Sequence, residues 1–247
     1  MWKTIKKSIF SILLYIGKLK YRNRASKVLY YHDVFSELEK PSSNMATDLE
    51  LFKKHVQIIK EEGFEIVDEI TKPENQIMIT FDDGFRGIYS NKSYFFLADL
   101  KPTVFCITEK IGQNDFLNDF EINELSNKGF RFQSHTHTHP ELYLLIKNDI
   151  QLELENSVNK LKDILNSKID AVCFPKGYFN DLTIETAFEV GFDKLYCSIP
   201  GSFYEKNEYN VIYRNLVQFS SPFDLRCILY GGSIIFRKRY TKQHYFN

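Results

Sequence analysis

The sequence predicts an α/β fold in which parallel strands form a sheet or barrel with helices on the outside. The first observation is a recurring pattern: a helical segment, then Gly-Phe, then an apolar strand. It occurs at Gly63-Phe64, Gly129-Phe130 and Gly191-Phe192. Glycine suits the left-handed position that ends many helices, and the run after each pair alternates as a strand does. Repeated helix-to-strand transitions are typical of parallel sheets.

Apolar runs elsewhere in the chain are the second observation, because they have the length and composition of strands. They cover residues 28–32, 77–81, 103–108, 130–133, 171–174 and 211–219. The third observation is a helical period in the intervening sequence. One apolar face is formed by Ile150, Leu154, Val158, Leu161 and Leu165. No linker rich in proline, glycine or serine divides the chain, so a single domain over residues 26–236 is expected.

Residues 1–25 are predicted to form a basic and apolar helical extension. Lys3, Lys6 and Lys7 precede an apolar stretch over residues 9–16, and further basic residues follow it. This stretch is too short to cross a bilayer, which takes roughly 20 residues, and no small-residue cleavage site follows it. The helix therefore either packs on the outside of the domain or makes a peripheral contact with an anionic membrane surface.

Composition limits the partners of this chain. Lysine plus arginine and aspartate plus glutamate both number 32, so there is no basic field to attract nucleic acid, and no such partner is expected. The four cysteines show no Cys-x-x-Cys pairing and lie in apolar runs. This predicts reduced core residues and a reducing, cytoplasmic compartment, with a bacterial cell surface as the alternative. Residues 237–247 are expected to be a short polar tail.

Two acidic residues follow one of the predicted strands. Asp82 and Asp83 come directly after the apolar run at 77–81 and precede Gly84. Adjacent carboxylates at a strand end are costly to bury unless a metal ion or a proton compensates them. Active sites of parallel α/β folds collect at this end of the strands. Asp-Asp-Gly also makes ordinary turns, so this motif alone does not decide between a site and a turn.

A cluster of histidines follows a second predicted strand. His135, His137 and His139 fall within five residues directly after the run at 130–133. Imidazole is a common zinc ligand, and two histidines with one carboxylate and an open position form a common catalytic zinc arrangement. The sequence therefore predicts a divalent metal site, with Zn²⁺ preferred over Co²⁺, Ni²⁺ or Mn²⁺. His55, in contrast, lies on an apolar helix face and is predicted to be a core residue.

The ordered motifs resemble the polysaccharide deacetylases with a NodB-type homology domain, in particular their biofilm and capsule branch. Residues 80–84 resemble the family's T-F-D-D-G motif, and residues 135–140 resemble its H-[ST]-x-x-H-P motif. Residues 174–177 stand where the family has an aromatic-Pro-aromatic-Gly loop, and residues 28–32 resemble its tyrosine-histidine first strand. The resemblance implies a distorted, incomplete (β/α) barrel of about seven parallel strands.

The same resemblance implies a metal-dependent hydrolase that removes N-acetyl groups from sugars. By position, it assigns metal binding to Asp83, His135 and His139, and the catalytic base to Asp82. The implied partner is an N-acetylated oligo- or polysaccharide with N-acetylglucosamine-type units, as in a surface, capsular or biofilm glycan.

Further roles follow from the loop and from the remaining histidines. The backbone N–H of Lys176, flanked by Pro175 and Gly177, is implied to contact the oxyanion and substrate. His137 has no assigned family role, and both His32 and His137 are expected beside the metal ligands rather than among them. Either of these histidines, or a metal-bound water, could supply the proton for the leaving amine.

Two departures from the family pattern leave alternatives open. Cys173 stands where many members have an arginine that orients the catalytic aspartate. The family's late histidine, its usual general acid, has no counterpart in residues 225–235. One alternative is a deacetylase-like protein that binds glycan without turnover. Another is a metal amidohydrolase in which His135 and His137 form an H-x-H pair that acts on a small amide.

Overall fold

The computed structural model describes residues 2–36, 41 and 43–247, with side chains from residue 7 onward, so those of Lys3 and Lys6 lie outside the description. The strands are Lys27–Tyr31 (β1), Asp33–Phe35 (β2), Ala46–Asp48 (β3), Glu65–Val67 (β4), Gln76–Phe81 (β5), Thr103–Cys106 (β6), Arg131–Ser134 (β7), Ala171–Cys173 (β8), Lys194–Tyr196 (β9) and Arg214–Leu216 (β10). The helices are Trp2–Tyr21 (α1), Leu49–Glu61 (α2), Gly87–Ser90 (α3), Lys92–Leu97 (α4), Asp119–Ser126 (α5), Lys147–Ile164 (α6), Asp181–Val190 (α7), Pro222–Leu229 (α8) and Arg237–His244 (α9). Short 3-10 helices span Thr108–Lys110, Leu142–Leu144, Pro175–Gly177 and Gly232–Phe236.

Parallel strands form a nearly closed barrel. Seven of them follow the order β10-β1-β5-β6-β7-β8-β9, and β4 pairs with β5 beside this path. The ladder between β9 and β10 is incomplete, since a single bridge between Tyr196 and Ile212 joins the two sides. The Cys197 N–H reinforces this closure by donating to the Ile212 carbonyl over 3.1 Å. The predicted incomplete barrel of about seven parallel strands is thus confirmed.

The predicted helix-to-strand transitions connect α2 to β4, α5 to β7 and α7 to β9. Their glycines, Gly63, Gly129 and Gly191, have φ angles of 75°, 94° and 103°, in the left-handed region that glycine adopts without a steric penalty. The phenylalanine after each glycine is buried. Each pair therefore ends a helix and anchors the next strand in the core.

One predicted strand is much shorter than expected. The apolar run at 211–219 pairs regularly with β1 only over Arg214–Leu216. A turn follows at once, closed by the Ser220 N–H on the Val217 carbonyl. A capping box then starts α8, in which Ser221 and Asp224 each bond to the other's backbone N–H. Because this capping box starts α8, β10 ends before the apolar run does.

The core contains the residues that the sequence assigned to it. Cys106, Cys173, Cys197 and Cys227 are all buried and unpaired, which confirms their interpretation as reduced core residues. His55 is fully buried. Its Nε2–H donates to the Ser220 carbonyl over 2.8 Å, and its Nδ1 lies 3.0 Å from the Tyr31 hydroxyl. Both ring nitrogens are therefore satisfied inside the core, as predicted for a structural histidine.

The two ends of the chain pack on the barrel. Helix α1 lies against α8 and the Gly232–Phe236 turn, and at Gly17 a Cβ atom would come within 2.1 Å of the Gly232 carbonyl oxygen. Among the described residues, no helix has the length and apolarity needed to cross a membrane. Residues 237–247, expected as a polar tail, instead form α9 and a terminal segment. Phe246 stacks on Tyr143 with a distance of 3.8 Å between the ring centroids. Packing the Phe246 ring against another ring is more favourable than leaving it exposed to water.

Candidate active site

The two chemistry-bearing motifs meet at the carboxyl edge of the barrel. Asp82 and Asp83 follow β5, while His135 and His139 follow β7. The Oδ1 atom of Asp83 lies 3.5 Å from His135 Nε2 and 3.8 Å from His139 Nε2. One potential ligand atom from each of these three residues lies within 4.8 Å of the others. The fold therefore brings together the set that the sequence assigned to metal binding.

Unusual backbone conformations hold this set in place. Asp83, Thr136 and His139 have φ angles of 70°, 66° and 67°. Such angles are rare for a residue with a Cβ atom and most costly for a β-branched one such as Thr136. Side chains compensate: Ser134 Oγ accepts the Thr136 N–H over 3.1 Å, and Thr136 Oγ1 accepts the His139 N–H over 3.0 Å. This tight turn returns His139 to the side of His135.

Hydrogen bonding fixes which nitrogen of His135 faces the cluster. Its Nδ1 lies 2.7 Å from the Cys173 carbonyl oxygen, which can only accept, so Nδ1 carries the proton and Nε2 keeps a lone pair. Burial lowers the pKa of His135 to about 3 and also lowers the pKa of His139. Both rings are therefore neutral near pH 7, the form in which imidazole binds a metal.

The donor set fits a divalent cation. Burial raises the pKa of Asp83 to about 6, so an anionic Asp83 lacks a full counter-charge, which a cation between it and the two imidazoles would supply. Asp82, His135 and Cys173 form a second compact group, but it fits poorly. Arg214 already neutralises Asp82, and burial raises the pKa of the Cys173 thiol well above its usual range.

Arg214 is the functional residue that the sequence analysis missed. From β10 it donates from Nη1 to Asp82 Oδ1 over 2.7 Å and from Nη2 to Asp82 Oδ2 over 2.8 Å. Burial alone would raise the pKa of Asp82, but the guanidinium outweighs it and lowers that pKa to about 2. Cys173 Sγ lies 2.9 Å from Nη2. The guanidinium that pairs with Asp82 thus comes from β10, and not from the position on β8 that Cys173 occupies.

A cavity of about 510 Å³ opens directly over these groups. Lys176 and Gly177 line it, whereas Pro175 is buried beneath the loop. Lys176 has a left-handed φ of 58°, and its Nζ lies 2.5 Å from Glu141 Oε1. The lysine head group is therefore held by Glu141 at the edge of the loop that lines the cavity.

The remaining histidines separate into two groups. His137 Nδ1 lies 2.9 Å from Thr108 Oγ1, and His137 does not line the cavity. His32 does line it, with Nδ1 donating to Gln218 Oε1 over 2.6 Å. His244 from α9 also lines it, which nothing in its polar sequence context indicated. Its Nδ1 donates to the Tyr240 carbonyl over 2.8 Å.

Known proteins share this fold and these motifs. A family model described as polysaccharide deacetylase matches residues 69–195. YxkH of Bacillus subtilis, provisionally named as a polysaccharide deacetylase, is 25% identical over 187 residues. A peptidoglycan-N-acetylglucosamine deacetylase of Bacillus cereus is 28% identical over 132 residues. The structure of the deacetylase PplD of Streptococcus pyogenes in complex with acetate matches with a TM-score of 0.71 at 24% identity.

These matches differ in extent. The match to YxkH covers 71% of this chain and 65% of YxkH, and the match to the Bacillus cereus enzyme covers 51% and 58%. This chain therefore spans less than two thirds of either relative. The likeness to PplD covers 83% of this chain and 98% of PplD, and it concerns the fold. The family model reaches the ligand set and the Lys176 loop but ends before Arg214.

Proposed function

This chain belongs to the polysaccharide deacetylase family, and on that premise we propose that it hydrolyses the N-acetyl groups of a saccharide with N-acetylglucosamine-type units. The observation that carries the proposal is the convergence of Asp83, His135 and His139 within 4.8 Å, beside an Asp82 that Arg214 keeps ionised. A cavity of about 510 Å³ is large enough to admit a sugar unit.

Asp83, His135 and His139 would hold a divalent cation, with zinc preferred for a set of two imidazoles and one carboxylate. When bound there, the cation would polarise the acetamide carbonyl and make a water molecule acidic enough to act as nucleophile near pH 7. The His135 tautomer supports this assignment, because its lone pair already points at Asp83.

Asp82 would accept the proton of the attacking water. Its pKa of about 2 keeps it ionised at neutral pH, as a proton acceptor must be. Arg214 binds both carboxylate oxygens and therefore fixes the orientation of the side chain. Arg214 is thus a positioning residue for Asp82 and takes over the part that the family arginine plays from the position of Cys173.

The other groups of the cavity would complete the reaction. Water oxygen bonds to the acetyl carbon, the amide C–N bond breaks, and acetate and a free amine result. The backbone N–H of Lys176 would donate to the oxyanion that forms on the acetyl carbonyl. His32 would donate a proton to the leaving amine. Its place in the cavity, where Gln218 holds its ring through Nδ1, favours it.

The geometry supports this assignment over the H-x-H alternative. An amidohydrolase pair would need His137 beside His135, but His137 bonds to Thr108. A protein that binds glycan without turnover is the remaining competitor. Arg214 on β10 replaces the arginine that is missing from β8. This removes one of the reasons for proposing a glycan-binding protein without turnover.

Acetate release from N-acetylglucosamine oligomers, after loading the protein with zinc, cobalt or nickel, tests the proposed function. We expect release that depends on the added metal and falls by at least about 100-fold in Asp82→Asn. Glu153→Gln provides a matched control, since this carboxylate contacts the histidine loop from outside the cavity. Oligomer binding without acetate release in any metal-loaded sample would favour the binding protein.

A further inference from the structure

A second cavity, of about 400 Å³, adjoins the candidate active site. Ser198, Leu216 and Tyr240 line both cavities, so the two spaces lie side by side. The other side chains around the second cavity include both apolar and polar groups, and they come mainly from α1, from residues 214–228 and from residues 233–236. We call this space the apolar groove, and its apolar walls are Phe10, Leu14, Leu216, Phe219, Ile228 and Phe236.

Several polar groups on the wall of the apolar groove are already bonded to protein. Arg214 binds Asp82. Asn215 Oδ1 accepts from Ser233 Oγ over 2.6 Å, and Asn215 Nδ2 donates to the Gly201 carbonyl over 2.8 Å. These groups have little capacity left for a polar ligand. The groove is therefore suited to a hydrocarbon chain rather than to a further sugar unit, which would bring hydroxyl groups that need partners.

Helix α1, which forms one wall of the groove, carries a second apolar face that is about half exposed. Ile9, Ile12, Ile16 and Leu19 are 52%, 58%, 45% and 64% exposed. Their spacing places them on one side of the helix, opposite the buried Leu14. We call these four residues the α1 stripe. A continuous apolar stripe of this kind marks an interaction surface rather than ordinary solvent exposure.

Positive charge accompanies the α1 stripe. Helix α1 contains five lysines and no acidic residue, and α9 contains four basic residues and no acidic one, although the whole chain is neutral. Lys238, Arg239 and Lys242 are exposed and form no ion pair with any residue that the structure describes. Both helices border the apolar groove, through Phe10 and Tyr240. An exposed apolar stripe on α1 together with unpaired cations on α9 matches an anionic membrane surface.

We propose that this protein acts at an anionic membrane surface on an acetylated saccharide that carries a lipid chain. The apolar groove holds the first part of the chain, the α1 stripe lies in the bilayer interface, and the sugar reaches the candidate active site past Leu216. The proposal rests on the deacetylase function proposed above, and it names the substrate class as a lipid-linked saccharide instead of a free polymer.

Vesicle sedimentation tests the membrane contact. We expect the full chain to bind vesicles of phosphatidylcholine with about 30% phosphatidylglycerol and to bind pure phosphatidylcholine at least about tenfold more weakly. Ile12→Glu should lose this binding at least about tenfold. Leu97→Glu is the matched control, because Leu97 is 88% exposed on α4, and it should bind as the unchanged protein does. Equal binding by Ile12→Glu and Leu97→Glu overturns the proposal.

The groove is tested by binding, so that the result does not depend on turnover. Calorimetry with the metal-free protein would compare methyl and dodecyl β-glycosides of N-acetylglucosamine, the latter below its micelle-forming concentration. Burial of the chain should tighten binding of the dodecyl glycoside at least about tenfold. Phe10→Glu should reduce this ratio, and Leu97→Glu should preserve it. Equal affinities for the two glycosides overturn the proposal.

Activity separates this proposal from the deacetylase function beneath it. Acetate release from the two glycosides should show a higher kcat/KM for the dodecyl form, by at least about tenfold. Release at equal rates would keep the deacetylase function and reject the lipid-linked substrate. Release from neither would reject the deacetylase function, while the binding results still decide on the groove. If Ile12→Glu converts a dimer to a monomer on a sizing column without changing vesicle binding, a second copy covers the α1 stripe and the proposal is wrong.

Discussion

Arg214 and Asp82 form a buried, two-pronged ion pair across the barrel, with both N–O distances between 2.7 and 2.8 Å. The pair joins β10 to the end of β5, which are far apart in sequence. It places a fully buried guanidinium directly behind the carboxylate that we propose as the catalytic base. Stability and activity should therefore depend on the same contact.

Arg214→Met should lower the free energy of unfolding by about 3–5 kcal/mol, because Asp82 would remain buried without its counter-charge. Urea unfolding measures this. Arg226→Met is the matched control, since Arg226 is 37% exposed beside Glu62 and its loss should cost under about 1 kcal/mol. Adding Asp82→Leu to Arg214→Met should restore part of the stability. A similar loss of unfolding free energy in Arg214→Met and Arg226→Met would show that the buried ion pair stabilises the fold no more than the exposed one.

His139→Ala should weaken zinc binding by more than about tenfold, because it removes one of three proposed ligands. His137→Ala should retain zinc, since His137 bonds to Thr108 outside the cavity. Metal content after dialysis against zinc buffers gives both values by elemental analysis. Greater metal loss in His137→Ala than in His139→Ala would instead support the H-x-H arrangement.

His32→Gln should lower kcat for acetate release by about 100-fold or more, the usual contribution of a proton donor, with zinc content unchanged. His244→Gln provides the comparison, because His244 lines the same cavity from α9 and its Nδ1 already donates to the Tyr240 carbonyl. Its effect on kcat should be under about tenfold. The reverse order of effects would assign the proton donor to α9.

The free energy of unfolding should depend on pH through His55. Burial lowers the pKa of His55 in the folded chain, so the unfolded chain takes up the proton first as the pH falls below about 6.5. Stability then falls with decreasing pH by up to about 1.4 kcal/mol per pH unit. His55→Gln should remove this part of the slope between about pH 6.5 and 5. Parallel slopes for His55→Gln and the unchanged protein, measured by urea unfolding, would contradict the assignment.

Gly177→Ala should reduce both stability and activity. Gly177 has a φ of 72°, and a Cβ atom there would lie 2.5 Å from Ser198 Cβ and 2.8 Å from the Ser198 backbone nitrogen. The cavity loop would have to move, and the Lys176 N–H with it. Gly191→Ala is the matched control, with a φ of 103° but no atom within 4 Å of the added Cβ.

We expect Gly191→Ala to cost about 1–2 kcal/mol of stability, from backbone strain alone. Gly177→Ala should cost more and should lower acetate release at least about tenfold. Urea unfolding and the acetate assay measure the two effects. Equal stability losses and unchanged acetate release in Gly177→Ala would show that the loop tolerates the clash.

The fold and the place of the site were predictable because they depend on local patterns. The Gly-Phe transitions mark helix ends, and the acidic pair and the histidine cluster stand directly after strands whose carboxyl ends meet in a parallel barrel. The choice of Asp83, His135 and His139 as the ligand set came from the family resemblance. Arg214 and His244 depend on how distant segments pack. Arg214 nevertheless left a signal: a single arginine inside the apolar run at 211–219 requires a buried carboxylate as partner. His244 left none, because its segment is polar and its place in the cavity arises only from the docking of α9.

The origin of Arg214 on β10 has a consequence for how related chains are compared. A guanidinium at one point in space meets the same need whether it arrives from β8 or from β10, so an arginine-to-cysteine exchange at position 173 is tolerable only together with an arginine at position 214. A comparison based on sequence motifs alone would classify a relative without arginine at position 173 as inactive. Relatives that carry arginine at either position 173 or position 214 would keep the charge beside the catalytic aspartate. Relatives with arginine at neither position would have lost it.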